Sequence, residues 1–579
     1  MAEVVGRSLI APYMAKFESM RIERTPFDRK WQMVSDYILT RRDFSVTQRP
    51  NQLRPHRVVS SVGTNNNTRM AAFLLAYLVD YSRPFMLPNV KRGLVAAGRP
   101  TDLQADSLDY LGDLEYSIYD RMMLPKAMLM QRLGAMLKEF CAFGCGVIWT
   151  GRRRGFGPYY NGRPVQACWW SENEEGEIDT LYFKLKLPLY RVFQRWPRAL
   201  KLDGWKDLSD AAKASEQELT DIILVCEPRI GGRVGAVAEA KPFKFLAIAE
   251  EKGAILETSG YNSFPYSVFR YDPMPGAAYA EGAGCQVVSD VMVANHLQQA
   301  IENCAEQKAQ PALAVPARMF GAKLDRRPGA LNSYNPAGLG LQRADQAILK
   351  MDFTGDPTEC IKLLEMLTEN IEIGYFTDWM RLPDRDGMTA TEIDDRRDTR
   401  LRGAASIVAN CELPMSILGD RTQEALAEEG MIAPPPPDLA GADVDWEYAG
   451  PLAVAQLRGN VQSVLKLMDA QALVSKLDPQ RGLDVDLGEG LRAVAEGLAT
   501  PTHLMRSRAD VAAETAAKQH QAQQQAAAEK LATVAQAARD GGQGVAAMAG
   551  AGADAGAGAA GGAAQPFAPA APFALPMAA

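Results

Sequence analysis

Two long helices joined by a short charged loop, between Gly355 and Pro414, constrain this fold more than any other stretch of the sequence. The first helix is predicted to open at Asp356-Pro357-Thr358-Glu359. Aspartate can accept hydrogen bonds from the first-turn amides, proline fits the first helical position, and glutamate completes a capping box. Apolar residues at helical spacing then define one packing face: Ile361, Leu364, Leu367, Ile371 and Tyr375.

The loop after this helix reads Arg381-Leu382-Pro383-Asp384-Arg385-Asp386-Gly387. Proline and glycine punctuate its alternating charges, so no helix should persist there. Thr389-Ala390-Thr391-Glu392 is a capping box, and Met388 and Ile393 have the spacing of a hydrophobic staple. A second helix is therefore predicted to begin at this box and to reach Pro414, which should end or kink it.

Helical spacing also dominates residues 8–147. A helix pair is predicted over residues 8–44, and an apolar helix over Met70–Tyr81. A further helical region from Asp102 runs into Phe140-Cys-Ala-Phe-Gly144-Cys-Gly146 and a strand. Because this stretch lacks the GxxxxGK[ST] spacing, its glycines indicate a turn rather than a phosphate-binding loop.

Residues 151–279 change to short β-rich runs separated by Gly, Pro, Asn and Asp, which predicts an antiparallel domain. The runs are Leu181–Leu187, Ile222–Val225, Phe243–Ile248 and Tyr266–Tyr271. Arg152-Arg153-Arg154 forms a basic cluster that is either a solvated face or a contact with a partner or phosphate.

A small insertion is predicted between two helices. The helix before it covers Cys285–Lys308 and, at about 1.5 Å per residue, spans roughly 36 Å. Residues 311–353 hold prolines, glycines and two β-like pieces, Ala312–Val315 and Ala347–Met351. The first half of the insertion is basic and carries Arg318, Lys323, Arg326 and Arg327.

Past Pro414, the four prolines at 434–437 predict a stiff break, and a further helix should follow Trp446–Gln456. Residues 512–539 are mostly Ala, Gln, Glu, Lys and Thr, which suits a slender helix that gains stability by packing against copies of itself. The Ala/Gly-rich residues 541–579 are predicted to be disordered.

Composition bounds the functional class. Lys plus Arg number 63 against 70 Asp plus Glu, a formal charge of −7, whereas general nucleic-acid binders are more often basic. The eight cysteines are scattered and are expected to be reduced core residues, including the close pair Cys141 and Cys145. We expect neither a secretory signal nor membrane insertion, because no suitable apolar segment is present.

The sequence contains none of the common catalytic motifs considered next. Walker A, HExxH, GxSxG and paired CxxC motifs are absent, so no enzyme and no cofactor is expected. The one dense carboxylate group could gather a divalent ion, as in a metal-dependent nuclease. Capping and the helix dipole explain the same residues: Asp384, Asp386, Glu392, Asp394, Asp395 and Asp398.

The phrase MTATEIDDRRDTRLRGAASIVANCELP, residues 388–414, resembles a helix of the head-to-tail connector, or portal, proteins of short-tailed double-stranded DNA phages. FRYDPMPGAAYAEGAG at 269–284, WEYAGPLAVAQ at 446–456 and GLATPTHLMRS at 497–507 resemble further family phrases in the same order. The resemblance covers residues 25–510 in fragments.

The resemblance implies an α+β, multidomain subunit with long stem and wing helices, a β-rich wing, a small α/β clip and a helical C-terminal crown or barrel. Its expected parts are the wing 1–284 (β-rich at 151–280), first stem helix 285–309, clip 310–354, second stem helix 355–380, tunnel loop 381–388, long wing helix 389–430, wing or crown helices 431–510 and crown or barrel helix 511–540. The region 151–265 and the tail 541–579, which composition predicts to be disordered, depart from the family pattern.

The function it implies is a homo-oligomeric ring, usually of twelve subunits, at one capsid vertex. Viral DNA would be packaged and later ejected through this ring, and the terminase large subunit and tail adaptor proteins would dock on it. The major capsid protein and scaffolding protein would be further partners, the virion its location, and the host cytoplasm its site of assembly.

Two sets of site residues follow from the resemblance. Arg381, Asp384, Arg385 and Asp386 would form a constriction that meets the duplex. Arg318, Lys323, Arg326 and Arg327 would belong to the docking surface of the clip. The alternatives are a helical scaffold or minor head protein and a metal-dependent nuclease.

Overall fold

The computed structural model describes much of the chain. The described residues are 7–40, 58–79, 81, 84–90, 105–202, 205–206, 208, 213, 219–235, 237–316, 325, 327–334, 349–351, 357–377, 405–439, 444–448, 467, 514, 517–518, 520–521 and 524–525. The chain divides into one compact unit over Met1–Met505 and a second over Arg506–Ala579. In the second unit, helical residues Glu514 and Lys518 form an ion pair at 2.9 Å.

Helices and strands mix within the first unit, which confirms the predicted α+β class. Its helices are α1 (Arg7–Tyr37), α2 (Val62–Leu78), α3 (Ala105–Met123), α4 (Leu129–Phe143), α5 (Leu189–Arg195), α6 (Ala283–Ala309), α7 (Thr358–Gly374) and α8 (Ala405–Glu428). Its strands are β1 (Met86–Val90), β2 (Cys145–Arg153), β3 (Gly157–Arg163), β4 (Cys168–Glu172), β5 (Ile178–Pro188), β6 (Leu219–Pro228), β7 (Phe243–Ala249), β8 (Ala254–Tyr261), β9 (Tyr266–Arg270), β10 (Ala312–Pro316), β11 (Leu331–Tyr334), β12 (Leu349–Met351) and β13 (Val444–Tyr448).

The predicted β-rich region forms two antiparallel sheets. One has the strand order β4-β5-β6-β7-β8, and the other has the order β3-β2-β9. All four predicted runs lie in these sheets, as β5, β6, β7 and β9. The five-stranded sheet follows sequence order because short turns can join antiparallel strands, whereas β9 returns to pair with β2 from more than 100 residues away.

Helix α1 joins the helical and β-rich parts. Residues 8–44 were predicted to hold a helix pair, but the structure has one helix to Tyr37 with Pro12 and Pro26 inside it. Phe17 packs on Trp169 and Tyr182 of the five-stranded sheet. The Trp31 indole N–H donates to the Phe143 carbonyl oxygen at 2.8 Å, which fixes the other end of the helix on α4.

The predicted glycine turn after α4 is confirmed. Gly144 caps α4 in the left-handed conformation, with a φ of 93°, and β2 begins at the next residue. Glycine adopts this backbone conformation without the steric penalty of a Cβ. Cys141 and Cys145 flank this turn as buried free thiols, in agreement with the prediction of reduced core residues.

Two boundaries differ from the predictions. Helix α2 begins at Val62, ahead of the predicted Met70, and it includes the polar residues Asn66 and Asn67, which are buried. Helix α8 continues through Pro414 to Glu428, so the proline does not end it. Pro414 itself is buried.

Candidate functional site: a segment bounded by two anchored positions

Helices α6 and α7 form a pair that flanks a small sheet. In this sheet β10 pairs in parallel with β11 and antiparallel with β12, within the insertion that the sequence predicts. The two helices pack closely where α7 ends. A Cβ added to Gly374 would lie 2.3 Å from the Val287 Cγ1 atom, so glycine permits this approach.

The buried residues of this helix pair all lie in its sheet-distal part. Leu367, Ile371 and Tyr375 of the predicted α7 stripe are in the core, whereas Ile361 is 40% exposed. The buried residues of α6 likewise end at Asn295. The helix ends that lead to the small sheet therefore project from the core.

Buried contacts hold the chain immediately after α7. Thr377 Oγ1 lies 3.0 Å from Asn66 Oδ1 on α2 and 3.1 Å from the Glu372 carbonyl oxygen. Phe376, the residue before Thr377, has a left-handed backbone with a φ of 53°, which is a strained conformation for a bulky residue. These contacts fix the direction in which the chain leaves the helix pair.

The chain returns to the same core position at the start of α8. Tyr375 and Cys411 both lie close to the Cys141 thiol of α4. Burial, and then the adjacent Cys411 thiol, raises the pKa of Cys141 well above its ordinary value. Residues 378–404 are thus bounded on both sides by anchors in one core.

The second half of α8 is fastened to the turns of both antiparallel sheets. Glu424 accepts hydrogen bonds from the backbone N–H groups of Asn262 and Ser263, both at 3.1 Å. Burial opposes its ionisation, but Arg421 and these hydrogen bonds hold the pKa of Glu424 below its ordinary value. Glu428 pairs with Lys241 at 2.6 Å, and Glu429 accepts from the Gly155 N–H at 2.8 Å.

A buried hydroxyl pair adds a further contact between α8 and the sheets. The Tyr160 and Thr422 oxygens lie 2.7 Å apart, and Thr422 also donates to the Leu418 carbonyl oxygen. Sequence reasoning missed these residues and the buried Arg421, because nothing in the local spacing distinguishes a surface helix polar residue from a buried one. Helix α8 is therefore fastened to the β-rich region by buried contacts along its second half.

The sequence-predicted site residues fall mostly outside the described residues. Arg381, Asp384, Arg385 and Asp386 lie there, as do Arg318, Lys323 and Arg326, the capping residue Asp356 and the rest of the acidic group up to Asp398. Arg327 is described: its exposed guanidinium forms hydrogen bonds with Asp325, which lowers the pKa of that carboxyl to about 2.

Two of the three arginines in the cluster Arg152–Arg154 contact other side chains. Arg152 pairs with Glu428 at 3.3 Å and with Glu429 at 3.5 Å, and Arg153 lies over the Phe156 and Tyr159 rings. Arg154 makes no ion pair within the described residues. In that part of the chain there is also no group of three or more metal-ligand side chains, and no helix has the length and apolar character of a membrane span.

The fold and the site together define a structural subunit whose long helices flank a small sheet and whose residues 378–404 are bounded on both sides by positions anchored in the core. The chain belongs to the family described as bacteriophage head to tail connecting proteins, which matches residues 12–505. A probable portal protein of Bordetella phage BPP-1 is 22% identical over 492 residues, covering 83% of this chain and 85% of the phage protein.

Proposed function

We propose that this chain is a portal subunit that assembles into a ring at one capsid vertex, the channel through which viral DNA is packaged and later ejected. Family membership across residues 12–505 carries the proposal. The family is a structural one, so the role proposed for the chain is non-catalytic.

Exposed apolar residues on the helix pair support assembly into a ring. On α7, Met366 is 52% exposed and Ile361 and Leu363 are each 40% exposed, and on α6 Val293 is 45% exposed. Apolar side chains grouped on one exposed helix pair are typical of surfaces that partners cover. Cyclic closure needs two different complementary faces on each subunit, and a helix pair supplies faces of that kind.

The loop at 381–388 is the proposed contact with DNA. Anchors at Tyr375 to Thr377 and at Cys411 fix both sides of the segment that contains it, so a force on the loop is resisted by the core. Arg381 and Arg385 would touch phosphates transiently, with Asp384 and Asp386 beside them. An acidic subunit suits this task, because a strongly basic bore would hold DNA through its phosphates.

The small sheet between α6 and α7 is the proposed clip, on which the terminase large subunit and later the tail adaptor proteins dock. It stands at the projecting end of the helix pair, where a partner can reach it. Arg318, Lys323, Arg326 and Arg327 are its proposed basic contacts. The major capsid protein and scaffolding protein would surround the wing, in the host cytoplasm during assembly and in the virion afterwards.

Native mass spectrometry of the purified protein, with negative-stain images of the same sample, tests this function. We expect a discrete closed ring with a central hole, of twelve subunits in the family's usual form. A monomer or dimer at every salt concentration would overturn the proposal. The antiparallel sheets already speak against the alternative of a helical scaffold.

A further inference from the structure

A charged cleft lies at the β8 edge of the five-stranded sheet, against α8. Its volume is about 880 Å³. Its lining includes four basic residues, Arg152, Arg195, Lys241 and Arg421, and three acidic ones, Glu257, Glu424 and Glu428. Trp149, Tyr159 and Tyr261 supply aromatic walls.

The acidic groups of the cleft are already engaged. Glu424 pairs with Arg421 at 2.6 Å, Glu428 pairs with Lys241 at 2.6 Å, and Glu257 accepts a hydrogen bond from the Trp196 indole at 2.7 Å. Exposed Arg195 makes no ion pair within the described residues; its guanidinium lies over the Trp196 ring. Arg195 is therefore a cation of the cleft that has no ion-pair partner in the described chain.

Buried donors in the cleft wall also lack acceptors. Arg421 is 2% exposed, its guanidinium lies over the Tyr261 ring, and its Nε–H group has no hydrogen-bond partner in the described part of the chain. The indole N–H of Trp149 is likewise buried without one. Both donors are covered by protein, so the cations that a docking partner can reach directly are the exposed Arg152 and Arg195.

An acidic turn lies at the opposite edge of the same sheet, between β4 and β5. Glu174, Glu175 and Glu177 are exposed there and form no ion pair within the described residues. The turn is held in one shape: Asn173 Oδ1 accepts from the Glu175 and Glu177 N–H groups at 3.0 and 2.8 Å. Such preorganisation lowers the entropy cost of binding.

Strand register places the acidic turn and the cleft at the same end of the sheet. Leu181, Cys226, Phe245 and Ser259 form one row across β5, β6, β7 and β8. The acidic turn lies before Leu181 on β5. On the same side of the row, β8 runs from Ser259 to Tyr261, which lines the cleft. Four inter-strand spacings of about 4.8 Å separate the edges by about 19 Å, so the turn cannot enter its own cleft.

We propose that the Glu174–Glu177 turn of one subunit docks into the Arg195 cleft of its neighbour in the ring. The inference rests on the proposed function, because a ring requires contacts between two different faces. The acidic turn and the basic cleft lie on opposite edges of the five-stranded sheet, at the same end of it. When copies of the chain repeat around a ring axis, the turn of one copy can face the cleft of the next. Arg154, at the tip of the β2–β3 hairpin that also contributes Arg152 to the cleft, adds positive charge beside it.

Charge reversal on both sides of this contact tests it. Glu174→Lys with Glu175→Lys should raise the subunit dissociation constant of the ring at least about tenfold, because like charges across an interface repel. Arg154→Glu with Arg195→Glu should do the same. All four changes in one chain should restore assembly, since every interface then regains opposite charges.

The control is Asp113→Lys with Asp120→Lys, which makes the same charge change on exposed positions of α3. Native mass is measured for each variant over a salt series. The inference is overturned when the turn variant assembles like the control, or when the fourfold variant stays dissociated while it is folded by circular dichroism. If the wild-type chain still forms a ring, such a result overturns the docking contact but not the proposed portal function. A wild-type monomer overturns both the contact and the function.

Discussion

Gly144→Ala tests a close backbone approach between the turn after α4 and the start of α6. A Cβ at Gly144 would lie 2.4 Å from the Glu281 carbonyl carbon and 2.4 Å from the Gly282 nitrogen, at the start of α6. These are backbone atoms, so no side-chain rotation can relieve the overlap. The turn that joins α4 to β2 therefore sets the position of the first helix of the pair.

The size of the effect follows from a matched control. Gly155 also has a positive φ, 71°, but nothing lies within 4 Å of its Cβ position. Its replacement by alanine costs about 1–2 kcal/mol of conformational strain, offset by about 0.4–1 kcal/mol from the unfolded chain. Gly144→Ala adds overpacking of about 1–3 kcal/mol, near the upper end because backbone must move.

Urea unfolding followed by tryptophan fluorescence compares the two variants, with native mass confirming equal assembly. Gly144→Ala should lose about 2–3 kcal/mol more stability than Gly155→Ala. Trp31, whose indole N–H bonds to the Phe143 carbonyl oxygen, is one reporter beside the substitution. Equal midpoints for the two variants would refute the close approach of Gly144 and Gly282.

Other perturbations reach the helix pair, a buried carboxyl and the loop. Gly374→Ala should lower the free energy of unfolding by about 1–3 kcal/mol because its Cβ would meet Val287. Val287→Ala in the same chain should recover part of that loss in the urea midpoint, and additive losses of the two substitutions would contradict this contact. Burial raises the pKa of Glu115 to about 7. The native state then holds this proton more tightly than the unfolded chain, so wild-type stability should fall as pH rises from about 4.5 to about 7. Glu115→Gln should flatten that profile and raise the thermal midpoint at pH 8, and parallel profiles would contradict the assignment. Replacing residues 381–388 by a Gly-Ser linker should leave rings intact but reduce the DNA packaged or retained in heads, and normal DNA content would contradict a role for the loop.

The sequence predicted the elements whose signals are local. The β-rich runs became strands of antiparallel sheets because alternation and turn residues act over a few positions. The stem helix predicted at Cys285–Lys308 is α6, Ala283–Ala309. The helix predicted from Asp356 and Pro357 begins at Thr358 in the described chain, within the usual uncertainty of helix ends.

Features that depend on distant contacts could not be predicted. The strand β13 pairs with β1, far away in sequence, and its Trp446 lies in a phrase whose resemblance predicted only a following helix. A helix pair was predicted over residues 8–44, but one helix runs through Pro12 and Pro26 to Tyr37, with Phe17 and Trp31 packed into two different clusters.

The candidate site shows the same division. Capping residues, proline and glycine predicted a charged loop at 381–387, which lies outside the described residues, and they carried no information on what holds the chain on either side of it. The anchors Asn66, Thr377, Cys141 and Cys411 come from α2, the end of α7, α4 and α8. Their proximity is a property of the packed fold, which no local spacing records.

An asymmetric cryo-electron microscopy reconstruction of DNA-filled heads would test the central claim most directly. The account predicts a ring of this chain at one vertex only, with axial density for duplex DNA in its bore. This chain at many positions of the shell, or a ring with no DNA density along its axis, would contradict a role as the DNA channel.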